Sequence, residues 1–284
     1  MKKTLFLLIL TVLVCLQACT PKDEDLGKSD IDTSVPPLNA TDKWLRANFI
    51  EPYNIEVLYK WNENAVDHNR YLYPPIFENV LPAMEAIKTI WLDTYFEVAG
   101  PDFVKKIAPR EILLVGGVNL NPSGTITLGL AESGARVTFF NTDFVDLKNT
   151  GSLVGFVSTI QHEYTHILNQ TVPFDEVSFK KITPSGYTAQ WFNSSQSEAR
   201  RLGFISAYAR ANEHEDFAEM VTAMLSNNNE DYNAIINNIN SDEARAAIRS
   251  KETLVVNYFK SNFSLDIYEL QRVAAENIQK VVNN

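Results

Sequence analysis

His162-Glu163-Tyr164-Thr165-His166 lies within Ser152 to Gln170, SLVGFVSTIQHEYTHILNQ, and that stretch decides how the rest of the chain is read. Leu153, Val157, Ile160, Tyr164 and Ile167 recur at steps of three and four, the period of a helix with one buried face. Residues four apart share a helix face, so His162 and His166 present two imidazoles to one point. Glu163 stands beside them, off the apolar stripe. Gly151 precedes Ser152, a suitable N-cap, and Pro173 disfavours helix at Val172. Two imidazoles one turn apart have metal-ligand spacing, and a neighbouring carboxylate can serve as general base to a metal-activated water. The apolar back anchors the helix so that its ligands do not drift.

A catalytic zinc site usually has three protein ligands and one open position. Of the four histidines, His68 falls in a polar loop and His214 falls within Tyr208 to Glu219, YARANEHEDFAE. Glu213, Glu215 and Glu219 compete there for the third place. If Glu215 to Leu225 is a helix buried through Phe217, Met220, Val221, Met224 and Leu225, then Glu215 and Glu219 share a face near its first turn. Glu215 as ligand and Glu219 as the partner of a ligand histidine satisfy both, with Glu213 leaving on another side and His214 a competitor.

The rest of the chain is mixed. A short helix over TDKWLRANF from Thr41 precedes a strand Asn54 to Trp61. Pro74-Pro75 comes before a long helix that ends at Gly100-Pro101, its buried stripe Val80, Met84, Ile87, Trp91, Tyr95 and Val98. Glu111 to Asn119 is a strand, and Thr125 to Ala131 with Ala135 to Phe140 form a hairpin. Beyond Ser197 nearly everything is helical, a segment around the ligand motif and then about three more helices. Val137 to Phe140 is half-buried sheet, and also a candidate strand for pairing with an extended peptide.

Lys2 and Lys3 precede an apolar run Leu5 to Leu16, which has the form of a secretory signal and is too short for a comfortable bilayer span. Its end, Leu16-Gln17-Ala18-Cys19, resembles the bacterial lipobox, which implies cleavage before Cys19 and lipid attachment to it. Residues 1–18 are then a lipoprotein signal and 19–40 a lipidated cysteine with a flexible acidic tether, leaving 41–284 as one domain. Cys15 and Cys19 are the only cysteines, so any metal in the domain is held by histidine and carboxylate. Acidic residues outnumber basic ones 35 to 25 with no basic patch, which argues against nucleic acid as a partner.

With H-E-x-x-H at His162, and 48 residues between His166 and Glu215 leading into Tyr-x-x-x-Asn-x-x-Glu-x-Phe-Ala-Glu, the chain resembles gluzincin metallopeptidases of the anthrax lethal factor type. It is closer still to zinc metallohydrolase lipoproteins that accompany TonB-dependent nutrient import in Bacteroidota. That resemblance implies an α+β zincin-like fold, with a small mixed sheet over the active helix and a helical C-terminal lobe. It implies zinc on His162, His166 and Glu215, Glu163 as general base, and Tyr208 as donor to the oxyanion, with Tyr187 in reserve. The implied substrate is a peptide or protein. The implied place is the outer membrane, on its periplasmic or cell-surface face, beside a TonB-dependent import complex. Asp216 and His214 depart from the pattern. A non-catalytic accessory with structural zinc, and an amidase for a glycan or peptidoglycan stem, are the competing expectations.

Overall fold

A computed structural model describes residues 37–132 and 134–283. The signal segment 1–18, Cys19 and the tether up to residue 36 lie outside the described residues. Chain order begins with helix α1 (Ala40–Leu45), capped by Asn39 and continued by a π turn (Arg46–Ile50) and Glu51–Tyr53. Strand β1 (Glu56–Leu58) follows, shorter than Asn54 to Trp61. Helix α2 (Phe77–Ile87) runs through a π turn (Lys88–Leu92) into Asp93–Ala99. Gly100 at φ 81° closes this run, and Pro101 opens a further helix, α3 (Pro101–Ile107), in place of a plain stop. Pro fits a first helical turn because its missing N–H would be unpaired there anyway.

Five strands follow: β2 (Glu111–Leu114), a two-residue flap pair β3 (Asn119–Leu120) and β4 (Ile126–Thr127), and the hairpin β5 (Gly129–Glu132) with β6 (Arg136–Phe139). The sheet order is β1-β2-β6-β5. β1, β2 and β6 are parallel, with Ile112 opposite Val137 and Leu114 opposite Phe139, while β5 runs antiparallel to β6. β2 and β6 are buried on both faces, as parallel strands are. Ile112, Leu114, Val137 and Phe139 join the main core, and Leu113, Val115 and Phe140 join a smaller cluster under Leu58, Val66 and Leu72. The Val137 to Phe140 stretch is therefore inside the sheet and has no edge to offer a peptide. Of the sheet's two edge strands, β1 and β5, it is β5 that packs beside the central helix.

The central helix α4 (Thr150–Thr171) is two residues longer at its start than Ser152 predicts. Asn149 caps it by accepting from the Ser152 amide at 3.0 Å, and the Ser152 hydroxyl is taken by the Asp146 amide. Its stripe is buried as its period requires. Tyr164 wedges edge-on between Trp91 and Tyr95 of the α2 run, at 5.1 and 4.9 Å, and Phe156 meets Phe139 of β6 at 5.9 Å. α5 (Glu176–Lys180), α6 (Gln196–Arg201), α7 (Glu213–Leu225), α8 (Asn229–Asn237), α9 (Asp242–Phe263) and α10 (Ile267–Asn283) complete the chain. The fold is α+β, a small mixed sheet beside a central helix and a helical C-terminal part. Among the described residues no helix is long and apolar enough to cross a membrane.

β5 lies hard against α4. A Cβ on Gly129 would stand 2.5 Å from the Thr159 methyl and 2.8 Å from Glu163 Cγ, so only glycine lets the strand approach this closely. That contact sets the free sheet edge directly above Glu163.

Candidate metal centre

α4 and α7 pack against each other and bring two separated segments to one point. Asn212 caps α7, its side chain accepting from the amides of His214 and Glu215, and this fixes the first turn on which Glu215 sits. His162 Nε2 lies 2.9 Å from Glu215 Oε2, His166 Nε2 lies 3.3 Å from the same oxygen, and the two Nε2 atoms are 3.1 Å apart. A tetrahedral zinc about 2.0–2.1 Å from each donor spaces neighbouring donors by roughly 3.3 Å. The triangle has that size.

Its chemistry calls for a cation. Glu219 Oε1 is 2.9 Å from His162 Nδ1 and takes the proton there, so neutral His162 turns a lone pair at Nε2 toward Glu215 and toward His166. Three lone pairs converging on one point repel one another unless a positive charge stands between them. Without an ion, a proton would have to serve. Burial opposes charge on the His162 ring, but the hydrogen bonds with Glu215 and Glu219 outweigh it and raise the imidazole to about 10. Burial likewise opposes ionisation of Glu215, and the two imidazoles overcome it, holding the carboxyl well below its usual range. The residues fit zinc.

Glu163 is 8 % exposed and opens to the same cleft, which measures about 640 Å³. Burial pushes its carboxyl up, while the neighbouring imidazoles of His162 and His166 and the backbone of Ala131 work the other way. Tyr208 stands in a single 3-10 turn (Tyr208–Arg210) just before the Asn212 cap. Its ring lies nearly parallel to His162 at 5.6 Å and packs against Trp191 at 4.7 Å. Burial and the Glu215 carboxylate raise its phenol well above the ordinary range, so the hydroxyl keeps its proton.

The other candidates are engaged elsewhere. Tyr187 donates to Asp216 Oδ2 at 2.8 Å, Glu213 pairs with Lys180 at 3.0 Å, and His214 is half exposed, 3.8 Å from Glu176. Glu176, Glu213 and His214 do cluster closely enough to ligate, but Lys180 already neutralises Glu213. His68 is in an exposed turn. A larger hollow of about 910 Å³ around Thr89, Asp231 and Lys280 holds none of these groups.

Residues 36–268 match the family described as "Putative zinc-binding metallo-peptidase". The chain belongs to that family. A crystal structure of "a putative zinc-binding metallo-peptidase" from Bacteroides caccae superposes with a TM-score of 0.71 at 29 % identity, over 86 % of this chain and 93 % of that one. A comparison with curated proteins gives no match. Zinc is thus the metal of this metallo-peptidase, and His162, His166 and Glu215 lie close enough together to hold an ion.

Three contributors carry no local sequence signal. Ser206 donates to Glu219 Oε2 and accepts from the Ala209 amide at 3.1 Å, which orients Glu219 toward His162. Asp216, next to Glu215, is fully buried and pairs at 2.6 Å with Lys251 of α9, also fully buried. Lys251 further donates to the Gly203 carbonyl and lies over the Phe204 ring. Asp216 therefore is a tie between two helices and no defect in an apolar position. The third is Gly129, whose missing side chain only matters once β5 meets α4.

Proposed function

We propose that the chain is a peptidase of the H-E-x-x-H…E type, in which His162, His166 and Glu215 hold zinc and Glu163 and Tyr208 act on the substrate. The carrying observation is the convergence of those three donors within 2.9–3.3 Å beneath an unpaired sheet edge, with Glu163 facing the same cleft. Zinc in that position polarises a carbonyl and makes a water acidic enough to ionise near neutral pH. Glu163 accepts the proton of the attacking water and passes it to the leaving amine nitrogen. Tyr208, protonated and within the same shell, donates a hydrogen bond to the oxyanion that forms on the former carbonyl. Glu219, held by Ser206, keeps the His162 tautomer and ring orientation.

The free edge of β5 gives an extended peptide a strand to join. β5 starts at Gly129 beside Thr159 and leads to the turn at Gly134, whose Cβ position is 3.1 Å from Gln170, so it runs in the same sense as α4. An antiparallel partner is slightly the more stable. A substrate so paired runs from Gln170, Phe174 and Glu176 toward Thr159 and Trp191, its leaving-amine side at the Trp191 end.

The lipobox at Cys19 and the acidic stretch after it support attachment to the outer membrane, with the tether lifting the domain off the lipid surface. The family resemblance supports service beside a TonB-dependent importer. Purified protein and Glu163→Gln, both assayed for zinc and for chelator-sensitive cleavage of a mixed peptide library, test the reading. The expected result is turnover lost and zinc kept in Glu163→Gln. Full activity in that variant would sink the mechanism, and zinc binding without any cleavage by the natural chain would favour an accessory role.

A further inference from the structure

A group of exposed aromatic side chains gathers away from the metal centre, at the end of the sheet where the parallel strands β1, β2 and β6 stop. Tyr71 is fully exposed, and Trp61, Tyr73, Ile76, Phe77 and Phe144 are exposed by 44–63 %. None of the six lines the metal cleft. They share one surface. The Phe77 ring lies 6.0 Å from Tyr59, two residues before Trp61, and the Ile76 amide donates at 2.8 Å to Asp143, next to Phe144. The Tyr73 carbonyl accepts from the Gly116 amide at 3.0 Å, and the Gly116 carbonyl accepts from the Asp143 amide at 3.4 Å.

The loop that carries Tyr71 and Tyr73 is firmly held. Leu72 packs against the cluster of Leu113, Val115 and Phe140, and successive side chains of an extended segment point opposite ways, which turns Tyr71 and Tyr73 outward. Arg70 donates to the Leu120 carbonyl and, at 3.1 Å, to the Asn121 side chain. A Cβ on Gly116 would stand 2.7 Å from the Pro74 carbonyl oxygen, and one on Gly117 2.4 Å from the Tyr73 ring, so a side chain at either position would push the loop away.

An aromatic side chain carries about 150–250 Å² of surface, so this group leaves on the order of several hundred Å² in water, the size that marks an interaction surface. Where the chain enters the domain says which one. The Asn39 side chain donates to the Tyr59 hydroxyl at 3.1 Å, and the ring of that tyrosine touches Phe77. The segment leading back to Cys19 therefore meets the domain at the margin of the aromatic group. Eighteen residue steps separate Cys19 from Pro37. A flexible tether of that length spans typically about 20–25 Å, while a domain of this size is roughly 45 Å across. A lipid on Cys19 would thus hold this face near the bilayer at high effective concentration and keep the opposite face away from it. Tryptophan and tyrosine favour the headgroup level of a membrane, where an apolar ring and a polar tip are both satisfied. The cations beside the group, Lys60 and Arg70, are paired with Asp42 and Asp67, so the attraction to lipid is apolar.

We propose that Trp61, Tyr71, Tyr73, Ile76, Phe77 and Phe144 form a docking face that seats the domain on the lipid surface to which Cys19 is attached. A tether of this length permits a lifted and a seated domain alike, and the aromatic face favours the seated one. The inference rests on the lipobox reading and is independent of the peptidase reading.

The test uses the full chain matured in a host that acylates lipoproteins, reconstituted in phosphatidylcholine vesicles with and without brominated acyl chains. Mass spectrometry first reports the acyl chains on Cys19. Bromine quenches only tryptophan that reaches the lipid, and Trp61 is the exposed one, Trp91 being buried and Trp44 and Trp191 partly covered. Brominated lipid is expected to quench the natural chain, in high salt as in low, and Trp61→Phe to remove most of that quenching. Tyr71→Ser combined with Phe77→Ser and Phe144→Ser is expected to cut the quenching at least threefold, with acylation, zinc content and melting temperature unchanged. Acylated, vesicle-bound natural protein without tryptophan quenching overturns this inference alone and leaves the face to a protein partner. So does a dimer of the Cys19→Ser chain that the triple substitution dissolves, which would give the face to a second copy. A Cys19 that carries no lipid overturns the lipobox reading and this inference with it.

Discussion

Glu219 Oε1 stands 2.9 Å from His162 Nδ1, and the same residue's other oxygen accepts from Ser206. One carboxylate thereby fixes which nitrogen of His162 turns toward Glu215 and His166. Outer-shell carboxylates of this kind raise the basicity of the ligand ring as well as orient it. Glu219→Ala is expected to weaken zinc binding by about 10–100-fold with the fold intact, and Ser206→Ala to weaken it less. Competition against a chelator of known affinity measures both. Equal affinity in Glu219→Ala and the natural chain would remove Glu219 from the site.

Zinc uptake should release a proton. With His162 raised to about 10 when no ion is present, the ring is protonated at pH 7.5, and zinc requires its lone pair. Calorimetric titration in buffers of different ionisation enthalpy should therefore give about one proton released per zinc, and affinity should rise with pH until about 10. The sign for stability is the reverse. In zinc-free protein the raised pKa of His162 contributes stability that is fully present below the unfolded value near 6.5 and lost as pH rises through about 10. A binding enthalpy independent of buffer would contradict the arrangement.

Tyr208 and Tyr187 lie close together in sequence and have opposite surroundings. Tyr208 stacks beside His162, whereas Tyr187 spends its hydroxyl on Asp216. Tyr208→Phe is expected to lower kcat by roughly 10²–10³ with zinc content and KM little changed, the usual loss for an oxyanion donor. Tyr187→Phe should keep most of the activity and lose some stability. Steady-state kinetics on both variants distinguish them, and equal kcat values for Tyr208→Phe and the natural chain would return the oxyanion role to another group.

The parts of the site that could be read in the chain were those with a local period. Leu153 to Ile167 announce α4 at helical steps, and the i, i+4 rule alone puts His162 with His166 and Glu215 with Glu219. The fold class followed from the alternation of such patterns. The edge strand Gly129 to Glu132 is four residues long and half exposed, with weaker strand character than the aromatic-rich Val137 to Phe140, whose reading as sheet holds and whose place is inside it. Helix α3 has no signature in the sequence, since seven residues opening on the proline of a Gly-Pro pair are too few to show a period. Ser206 and Lys251 act through neighbours brought by the fold, and side-chain identity alone says nothing of those neighbours.

The buried pair of Asp216 and Lys251 yields a prediction about stability and about the site at once. Both side chains are fully buried at 2.6 Å, and Asp216 also takes the Tyr187 hydroxyl. Burial pushes Asp216 up to about 6 against the pull of Lys251 and Tyr187, and it lowers Lys251, so desolvation outweighs attraction for both partners. Such a pair is costly to break and dispensable as a whole. Lys251→Met alone leaves a buried carboxylate without its counter-charge and is expected to lose about 3–5 kcal/mol of unfolding free energy. Asp216→Leu with Lys251→Met should recover most of that, or exceed the natural chain by about 1–4 kcal/mol, since well-packed apolar groups replace buried ions without loss. Asp216 follows Glu215 directly on α7, so the double variant also asks whether the pair holds the ligand in place. Urea unfolding of the zinc-free proteins gives the stability, and chelator competition gives the zinc affinity. A stable double variant with weakened zinc binding assigns the pair to ligand positioning, whereas a stable one with unchanged zinc binding leaves it a tie between α7 and α9.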